Sequence, residues 1–533
     1  MAQYEADVVI VGAGSAGCVL AARLSENADL RVLLLEAGGA DRNIWIHVPL
    51  GIAKTIANPR LNWGLETEPV PGFNGRRMPY PRGRMLGGSG SMNGMQYIRG
   101  TARDYDRWRD CGNDGWGWSG VLPYFKRAEA NVRGADDLHG DCGPLAVTDI
   151  AREKLTDALL AAAAEAGHTL IADFNGPTQE GASYYQVMIR NGRRACGAGA
   201  YLRPAMRRPN LQVLTSAQAT RVLFDGRRAT GVEFLRDGKT LSANARSEVV
   251  LAGGAFHSPQ LLQLSGVGPA ELLRRHGVAL VADLPGVGAN LQDHLQVRSM
   301  CRSTQPITVN DALNSPFRLA AEVVRYAIFR TGILAYGPFR VGAFACSSAS
   351  PGWPDLQVQF SPIGFRFVTE PPMSYSSFTM SVCLLRPSSR GSVEIGSSDP
   401  LAPPKIQPDF LSAESDRGLM MEAYKLGRKL LAQPSLAAYV AEEIWPGPAC
   451  QTDEQILEHV RATASTVHHP VGTCRMGTDE QAVVDARLKV RGLEGLRVAD
   501  GSIMPYLVSG NTNAPIVMIA EKASDLIRED LRG

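Results

Sequence analysis

Two stretches of this chain carry residues whose types and spacing suit chemistry. The first is Thr466-Val467-His468-His469-Pro470-Val471-Gly472-Thr473-Cys474, which sets two of the nine histidines among apolar and small residues. Imidazole titrates nearest to neutral pH, so such a pair can hold or pass a proton. A pair of satisfied structural histidines fits the same spacing, and both readings stand at this point. A metal centre fits less well: adjacent histidines followed by Cys474 lack tetrahedral ligand spacing, and no carboxylate stands nearby. The second stretch is Gly12-x-Gly14-x-x-Gly17, with Glu36 about 20 residues further on. Gly12 permits a tight turn, Gly14 lets a pyrophosphate approach the backbone, and Gly17 lets a helix and a strand pack closely. Glu36 can accept hydrogen bonds from a ribose diol.

Particular elements must hold these residues. Val8 to Val11 is a short apolar, β-branched run, which predicts a buried parallel strand directly before the glycines. Gly17, Leu20, Ala21 and Leu24 recur on one helical face. The N-terminus of that helix offers free N–H groups and a partial positive charge to phosphates. Val32 to Leu35 is a second strand, ending at Glu36. Strand, glycines, helix, strand and acid in that order predict a dinucleotide site, though not whether it takes FAD or NAD. The alternative is an ordinary βαβ turn with a solvated Glu36. Val249 to Leu251 reads as another strand that ends in Ala252-Gly253-Gly254. After it, Ser258 suits an N-cap, Pro259 the first helical position and Gly266 the C-terminal cap of a helix. Val498-Ala499-Asp500-Gly501 is a further strand-to-turn segment. Ile516, Ile519, Ala520, Ala523, Leu526 and Ile527 line one face of a C-terminal helix, with Pro515 in its first turn.

At 533 residues the chain is long for one core, which predicts two or more intertwined domains. Hydrophobic content of 44% and charged content of 20% are those of an ordinary globular protein. Net charge is +2 and the Arg-Arg pairs are scattered, so no basic stripe points to nucleic acid or an anionic membrane. The N-terminus lacks a signal-peptide pattern, and no apolar run is long enough to span a bilayer. Nine dispersed cysteines without a Cys-x-x-Cys pair argue for reduced thiols and a cytoplasmic location.

A second glycine-dense stretch runs Gly83-Arg84-Met85-Leu86-Gly87-Gly88-Ser89-Gly90-Ser91-Met92-Asn93-Gly94. Residues this small suit close approach of backbone to a ligand or to another backbone. The stretch is similar to the first signature of the glucose-methanol-choline (GMC) family of flavoprotein oxidoreductases. Its continuation, Gly94-Met95-Gln96-Tyr97-Ile98-Arg99-Gly100 and Asp104-Tyr105-Asp106-x-Trp108, resembles the choline dehydrogenase-like branch. Gly254 to Gly268 resembles the second signature. Pro285-Gly-Val-Gly-x-Asn290-Leu-x-Asp293-His294, Ser388-Ser389-Arg390-Gly391, Asp399-Pro400 and Pro404-x-Ile406-x-Pro408 extend the likeness along nearly the whole chain.

The resemblance implies an α/β fold: a Rossmann-like FAD-binding domain (1–150, 192–300 and 461–533) interwoven with a substrate domain (151–191 and 301–460). The alternating runs at 356–360 and 378–385 would form the antiparallel sheet flooring the substrate pocket. It implies FAD rather than NAD, held by Gly12, Gly14, Ser15, Ala16, Gly17, Glu36, Ala37, Gly83, Leu86, Gly87, Asn93, Gly94, Met95, Ala219, Ala252, Asp500, Gly501, Asn511 and Thr512. His469, immediately before Pro-x-Gly-Thr, takes the place of the catalytic base, and Asn513 that of its partner, although Asn513 also suits an N-cap or turn. Val467, His468 and Gln359 would shape the substrate pocket; no metal is expected. The implied reaction is oxidation of a primary alcohol to the aldehyde, with hydride passing to flavin N5 and electrons to O2, a quinone or an artificial acceptor. A hydroxynitrile lyase with redox-silent FAD, a choline dehydrogenase and a light-driven decarboxylase are the alternatives the same fold allows. Some relatives attach FAD through a histidine just before the place of Asn93. Met92 stands there, so non-covalent FAD is expected. Neither monomer nor homo-oligomer is favoured.

Overall fold

A computed structural model describes residues 4–368 and 370–532. The first three residues of the N-terminal stretch lie outside it. Among the described residues the chain builds two seven-stranded sheets, one largely parallel and one antiparallel, besides four two-stranded ones.

The first sheet starts from β1 (Tyr4–Val11), which feeds α1 (Ser15–Leu24) and then β2 (Val32–Leu35). Every residue of β2, and Val8 to Val11 of β1, is buried, as the continuous apolar runs require of strands covered on both faces. The long strand β3 (Lys239–Leu251) lies beside β1. Its first half pairs antiparallel with Arg228–Arg236; its second half pairs parallel with Leu496–Val498. The parallel order is therefore Leu211–Leu214, β2, β1, β3, Leu496–Val498, with a meander through Gln218–Asp225 on the flank. The C-terminal ends of β1, β2 and β3 converge on one edge. Ligands bind at such an edge in open parallel sheets.

The second sheet runs Val440–Trp445, Leu295–Ser303, Ser377–Leu384, Leu356–Ser361, Val341–Ala345, Gly181–Tyr184 and is antiparallel throughout. Both strands expected near 356 and 378 are in it. The change of texture near residue 300 falls inside Leu295–Ser303, and Ser465–Thr466 pairs with that strand just before the histidines. One strand thus ties the antiparallel sheet to the chemistry-bearing turn.

The C-terminal helix α2 (Asn513–Asp530) packs against α1. The fully buried Glu521 fastens it, accepting from Arg23 Nε at 2.9 Å, Arg127 Nε at 2.8 Å and Tyr201 OH at 2.8 Å. A carboxylate this deep is tolerable only with such partners.

One expectation needs correction. The helix after β3 spans Gly254–Leu264, so Ser258 and Pro259 lie inside it rather than at its start. Tertiary contacts override the local capping rule. Ser258 Oγ donates to Asp500 Oδ2 at 2.6 Å. Pro259 has no N–H for the Ala255 carbonyl, and Thr473 Oγ1 donates to that carbonyl instead, at 2.6 Å. The proline therefore docks the His469 stretch onto the helix. Gly266 follows the helix end with φ +85°, as a C-terminal glycine should.

Candidate active site

The dinucleotide cradle forms where the two glycine stretches meet. A Cβ on Gly17 would lie 1.8 Å from the Gly12 carbonyl oxygen, and one on Gly88 would lie 2.8 Å from Gly14 Cα. Gly87 N–H donates to the Ala13 carbonyl at 2.8 Å. Side chains are excluded so that backbones can touch. A cavity opens at the strand ends, lined by Gly12, Gly14, Ser15, Ala16, Glu36, Ala37, Gly83, Ala219, Ala252, Asp500 and Gly501 among others. Glu36 accepts from Ala13 N at 2.8 Å and Gly38 N at 2.8 Å. Burial raises its carboxyl to about 7, although those two N–H groups pull the other way. Asp500 lines the same cavity, but its oxygens already accept from Gly254 N, Ser258 Oγ and Ser502 N.

The remaining cofactor candidates lie apart from this cavity's lining. Gly17 packs beneath it. Leu86 N–H donates to Gly39 O at 3.0 Å, joining the two loops. Asn93 Oδ1 accepts from Arg194 Nη1 at 2.7 Å and from Met95 N at 3.1 Å, holding the Asn93-Gly94-Met95 turn, in which Met95 is left-handed. Thr512 is the residue before α2.

His469 is half-buried, its ring against that of His294, the residue before the strand Leu295–Ser303. The His469 N–H donates to Asp293 Oδ1 at 2.7 Å, and Tyr80 OH and Thr466 Oγ1 donate to Asp293 Oδ2. Burial raises Asp293 to about 6 against these donors. His468 adopts φ +68° and its carbonyl accepts from Arg82 Nη2 at 2.8 Å. This left-handed residue turns the chain so that His469 can face inward. Both imidazoles are held below the usual histidine value. Burial dominates in each; Arg82 and Arg298 take His468 down to about 3, while His294, His468 and Arg82 add to the effect on His469.

With the proton of His294 assigned to Nε2, the ring contacts give the protonation pattern of His469. His294 Nε2 lies 3.0 Å from the Leu385 carbonyl, which can only accept, so Nε2 carries the proton. Burial keeps His294 neutral, lowering it to about 4, which leaves a lone pair on Nδ1. His469 Nδ1 lies 2.9 Å from that lone pair and must donate to it. His469 Nε2 is then unprotonated, 3.3 Å from the amide Nδ2 of Asn511, a donor. The result is a neutral imidazole with its basic nitrogen beside an amide N–H.

Asn513 makes no hydrogen bond to His469 among the described residues. Asn513 Oδ1 accepts from Ser15 Oγ at 2.7 Å, and its Nδ2 contacts Met188 Sδ at 3.2 Å. Asn511, expected only among the cofactor residues, takes the position by the base. Val467 lies beside the histidines, its N–H donating to the His294 carbonyl at 2.9 Å. Gln359 is on the antiparallel sheet, donating to Gln357 Oε1 at 3.1 Å. Sequence reasoning assigned no role to His294, Asp293 or Arg298. The motif around Asn290 to His294 was visible, and the signal that follows it is the alternation of His294, Gln296 and Arg298 along one strand face.

The residues present fit a flavin dinucleotide. The glycine-built cradle runs from the fingerprint toward the histidines. Asn511 Oδ1, Gln96 Nε2 and His468 Nδ1 are buried without a partner among the described residues, polar atoms that a ligand can satisfy. Fold and site together define a dinucleotide-dependent oxidoreductase with separate cofactor and substrate sheets. Residues 6–296 and 387–520 match the two GMC oxidoreductase family models. The chain is similar to an alcohol dehydrogenase [acceptor] of Pseudomonas putida, 43% identical over 98% of this chain and 95% of that protein. It is also similar to an oxygen-dependent choline dehydrogenase of Stenotrophomonas maltophilia, 44% identical over 98% and 95%. Among solved structures, pyridoxine 4-oxidase from Mesorbium loti superposes with a TM-score of 0.89 at 31% identity, covering 98% of this chain and 99% of that one. A fungal aryl-alcohol oxidase gives 0.87 at 26% identity, with each chain fully covered. The chain belongs to the GMC oxidoreductase family.

Proposed function

We propose that this enzyme oxidises a primary alcohol to the aldehyde with non-covalent FAD, His469 serving as base and Asn511 as its partner. The observation that carries the reading is the hydrogen-bond chain Leu385 O, His294, His469, Asn511, which leaves His469 Nε2 unprotonated and basic beside the Asn511 amide. FAD, when bound, supplies the hydride acceptor. The chain's own residues do the rest. An alcohol hydroxyl placed between His469 Nε2 and Asn511 Nδ2 gives its proton to the imidazole. The Asn511 N–H stabilises the oxygen as negative charge develops on it. His294 accepts from His469 Nδ1 and so steadies the imidazolium that forms. Asp293 holds the His469 backbone.

The relatives support the reaction class through their names, and the acceptor is proposed as O2 or a quinone. We assign the cofactor half to 1–150, 192–300 and 461–533, the substrate half to 151–191 and 301–460, and the location to the cytoplasm. Among the described residues no helix is long and apolar enough to cross a membrane. The test is the visible spectrum of the purified holoenzyme without oxygen, before and after a panel of alcohols. Bleaching of the flavin band supports the reaction. A band untouched by every alcohol favours a redox-silent lyase.

Two predictions concern the cofactor. With Met92 buried at the place of the attaching histidine, acid precipitation is expected to release all flavin into the supernatant. Flavin retained on the polypeptide would refute non-covalent attachment. Glu36 must be ionised to accept both its backbone donors and a ribose diol. Its carboxyl sits at about 7 in the free protein, so FAD affinity of the apoprotein is expected to weaken as pH falls below 7. The slope is up to about tenfold per pH unit. Fluorescence titration of FAD between pH 8 and 6 checks this, and Glu36→Gln should bind more weakly and lose the slope.

A further inference from the structure

The register of the antiparallel sheet defines a second set of groups around the alcohol. His294, Gln296 and Arg298 alternate along the chain into Leu295–Ser303 and share one face. His294 meets His469, and Gln296 Nε2 donates to the Thr466 carbonyl at 3.0 Å, so this face is the one turned toward the histidines. Arg298 stands opposite Ser381, and Ser381 opposite Gln359. Directly opposed residues share a face, so all three look into the same space.

Arg298 is 7% exposed, yet no carboxylate pairs with it among the described residues. Its Nη1 donates to the Arg366 carbonyl at 3.0 Å, and its guanidinium lies 5.3 Å over the Phe365 ring. Its Nε has no partner, nor has the hydroxyl of Ser381 across the ladder. Burial without a counter-charge lowers its pKa to about 10, still well above neutrality, so the charge persists. Its field reaches His468, whose imidazole it helps to depress. A buried charge is normally paired, as Glu521 and Glu129 are in this chain, or spread over several carbonyls, as for Arg194, which donates to those of Ile46 and Asn93. Arg298 has one carbonyl and no counter-charge, on the strand face that carries His294, and a ligand that brings an anion would complete it.

We infer that the alcohol this enzyme oxidises carries a carboxylate, and that Arg298, with the Ser381 hydroxyl, binds it. The inference rests on the alcohol-oxidation reading above. One guanidinium and one hydroxyl suit a monoanion. A bidentate Arg–carboxylate pair would also fill the orphaned Nε. The spacing sets the substrate's shape. Arg298 lies four residues along the strand from His294, about 13 Å at the rise of a strand, and its own side chain spans part of that distance. The carboxylate therefore sits several bonds from the carbinol, as in a hydroxymethyl-benzoate or a medium-chain ω-hydroxy acid. A quaternary ammonium, as in choline, would meet a like charge in the same place.

The test compares matched substrates on the FAD-loaded enzyme, anaerobically: 4-(hydroxymethyl)benzoate against its methyl ester and benzyl alcohol, and 6-hydroxyhexanoate against 1-hexanol. The carboxylates are expected to reduce the flavin with the higher kcat/KM. Arg298→Gln should lower kcat/KM for carboxylates by roughly 100-fold, the loss expected when one partner of a buried charge pair is removed. Benzyl alcohol should change little, and Arg298→Lys should restore part of the preference. Equal or better use of the neutral alcohols by the wild type overturns the inference and leaves alcohol oxidation standing. So does a carboxylate preference that survives in a folded, FAD-loaded Arg298→Gln. If no alcohol reduces the flavin, the proposed reaction fails, and benzoate titrated against the flavin spectrum decides the anion site. Wild-type binding weakened by Arg298→Gln supports it; no binding overturns it.

Discussion

His469→Ala is expected to keep its FAD and lose alcohol-dependent flavin reduction by roughly 10²- to 10⁴-fold, the range over which a positioned general base contributes. The variant removes the unprotonated imidazole nitrogen that stands beside the Asn511 amide. Its FAD should remain because the cradle is built from the two glycine loops and Glu36, none of which His469 touches. Stopped-flow reduction without oxygen reads the chemical step directly. The pH profile of the wild type adds an independent check. Burial and the neighbouring His294, His468 and Arg82 hold His469 well below the usual histidine value, so it is protonated only under more acid conditions. Reduction governed by His469 should therefore persist as pH falls through 6.5, with its acid limb displaced downward. Near-normal reduction by the alanine variant would end the assignment, whatever the profile.

The cofactor half was readable in the sequence because its signals are local. Val8 to Val11, the three glycines, α1 and Val32 to Leu35 each carry their own pattern, and the fold places them in the order the pattern gives. Ser258 and Pro259 show where local rules fail. They look like the start of a helix, but Asp500 and Thr473, both more than 200 residues away, take the Ser258 hydroxyl and serve the Ala255 carbonyl that Pro259 cannot, and the helix begins earlier. The substrate side was harder for the same physical reason. Whether His294 or Arg298 faces the histidines depends on strand register across a sheet assembled from distant segments. No spacing within one segment encodes that. The resemblance gave Asn513 as the partner of His469, whereas the amide within reach of the His469 ring is that of Asn511, two positions earlier.

That choice is open to a direct test. Asn511 and Asn513 flank the start of α2, and the backbone turns between them so that their amides point to different neighbours. Asn511 Nδ2 reaches His469 Nε2 and Gln96 Oε1, both at 3.3 Å. Asn513 Oδ1 takes the hydroxyl of Ser15 at the head of α1, and a Cβ on Gly90 would lie 3.4 Å from it. Asn511 is thus next to the atom that loses its proton, and Asn513 next to the cofactor loops. Asn511→Ala should slow flavin reduction by about 10²- to 10³-fold with FAD affinity nearly unchanged, as for loss of one donor to a developing oxyanion. Asn513→Ala should do the reverse, weakening FAD binding while protein saturated with FAD reduces at close to the normal rate. The amide partner of the base must donate to the alcohol oxygen, so Asn511→Asp should be slow too: it replaces that donor with a carboxylate that repels the forming alkoxide. If instead Asn513→Ala abolishes reduction at saturating FAD and Asn511→Ala leaves it intact, the hydrogen bond to His469 Nε2 is structural. The chemistry would then belong to the residue that the family pattern first indicated.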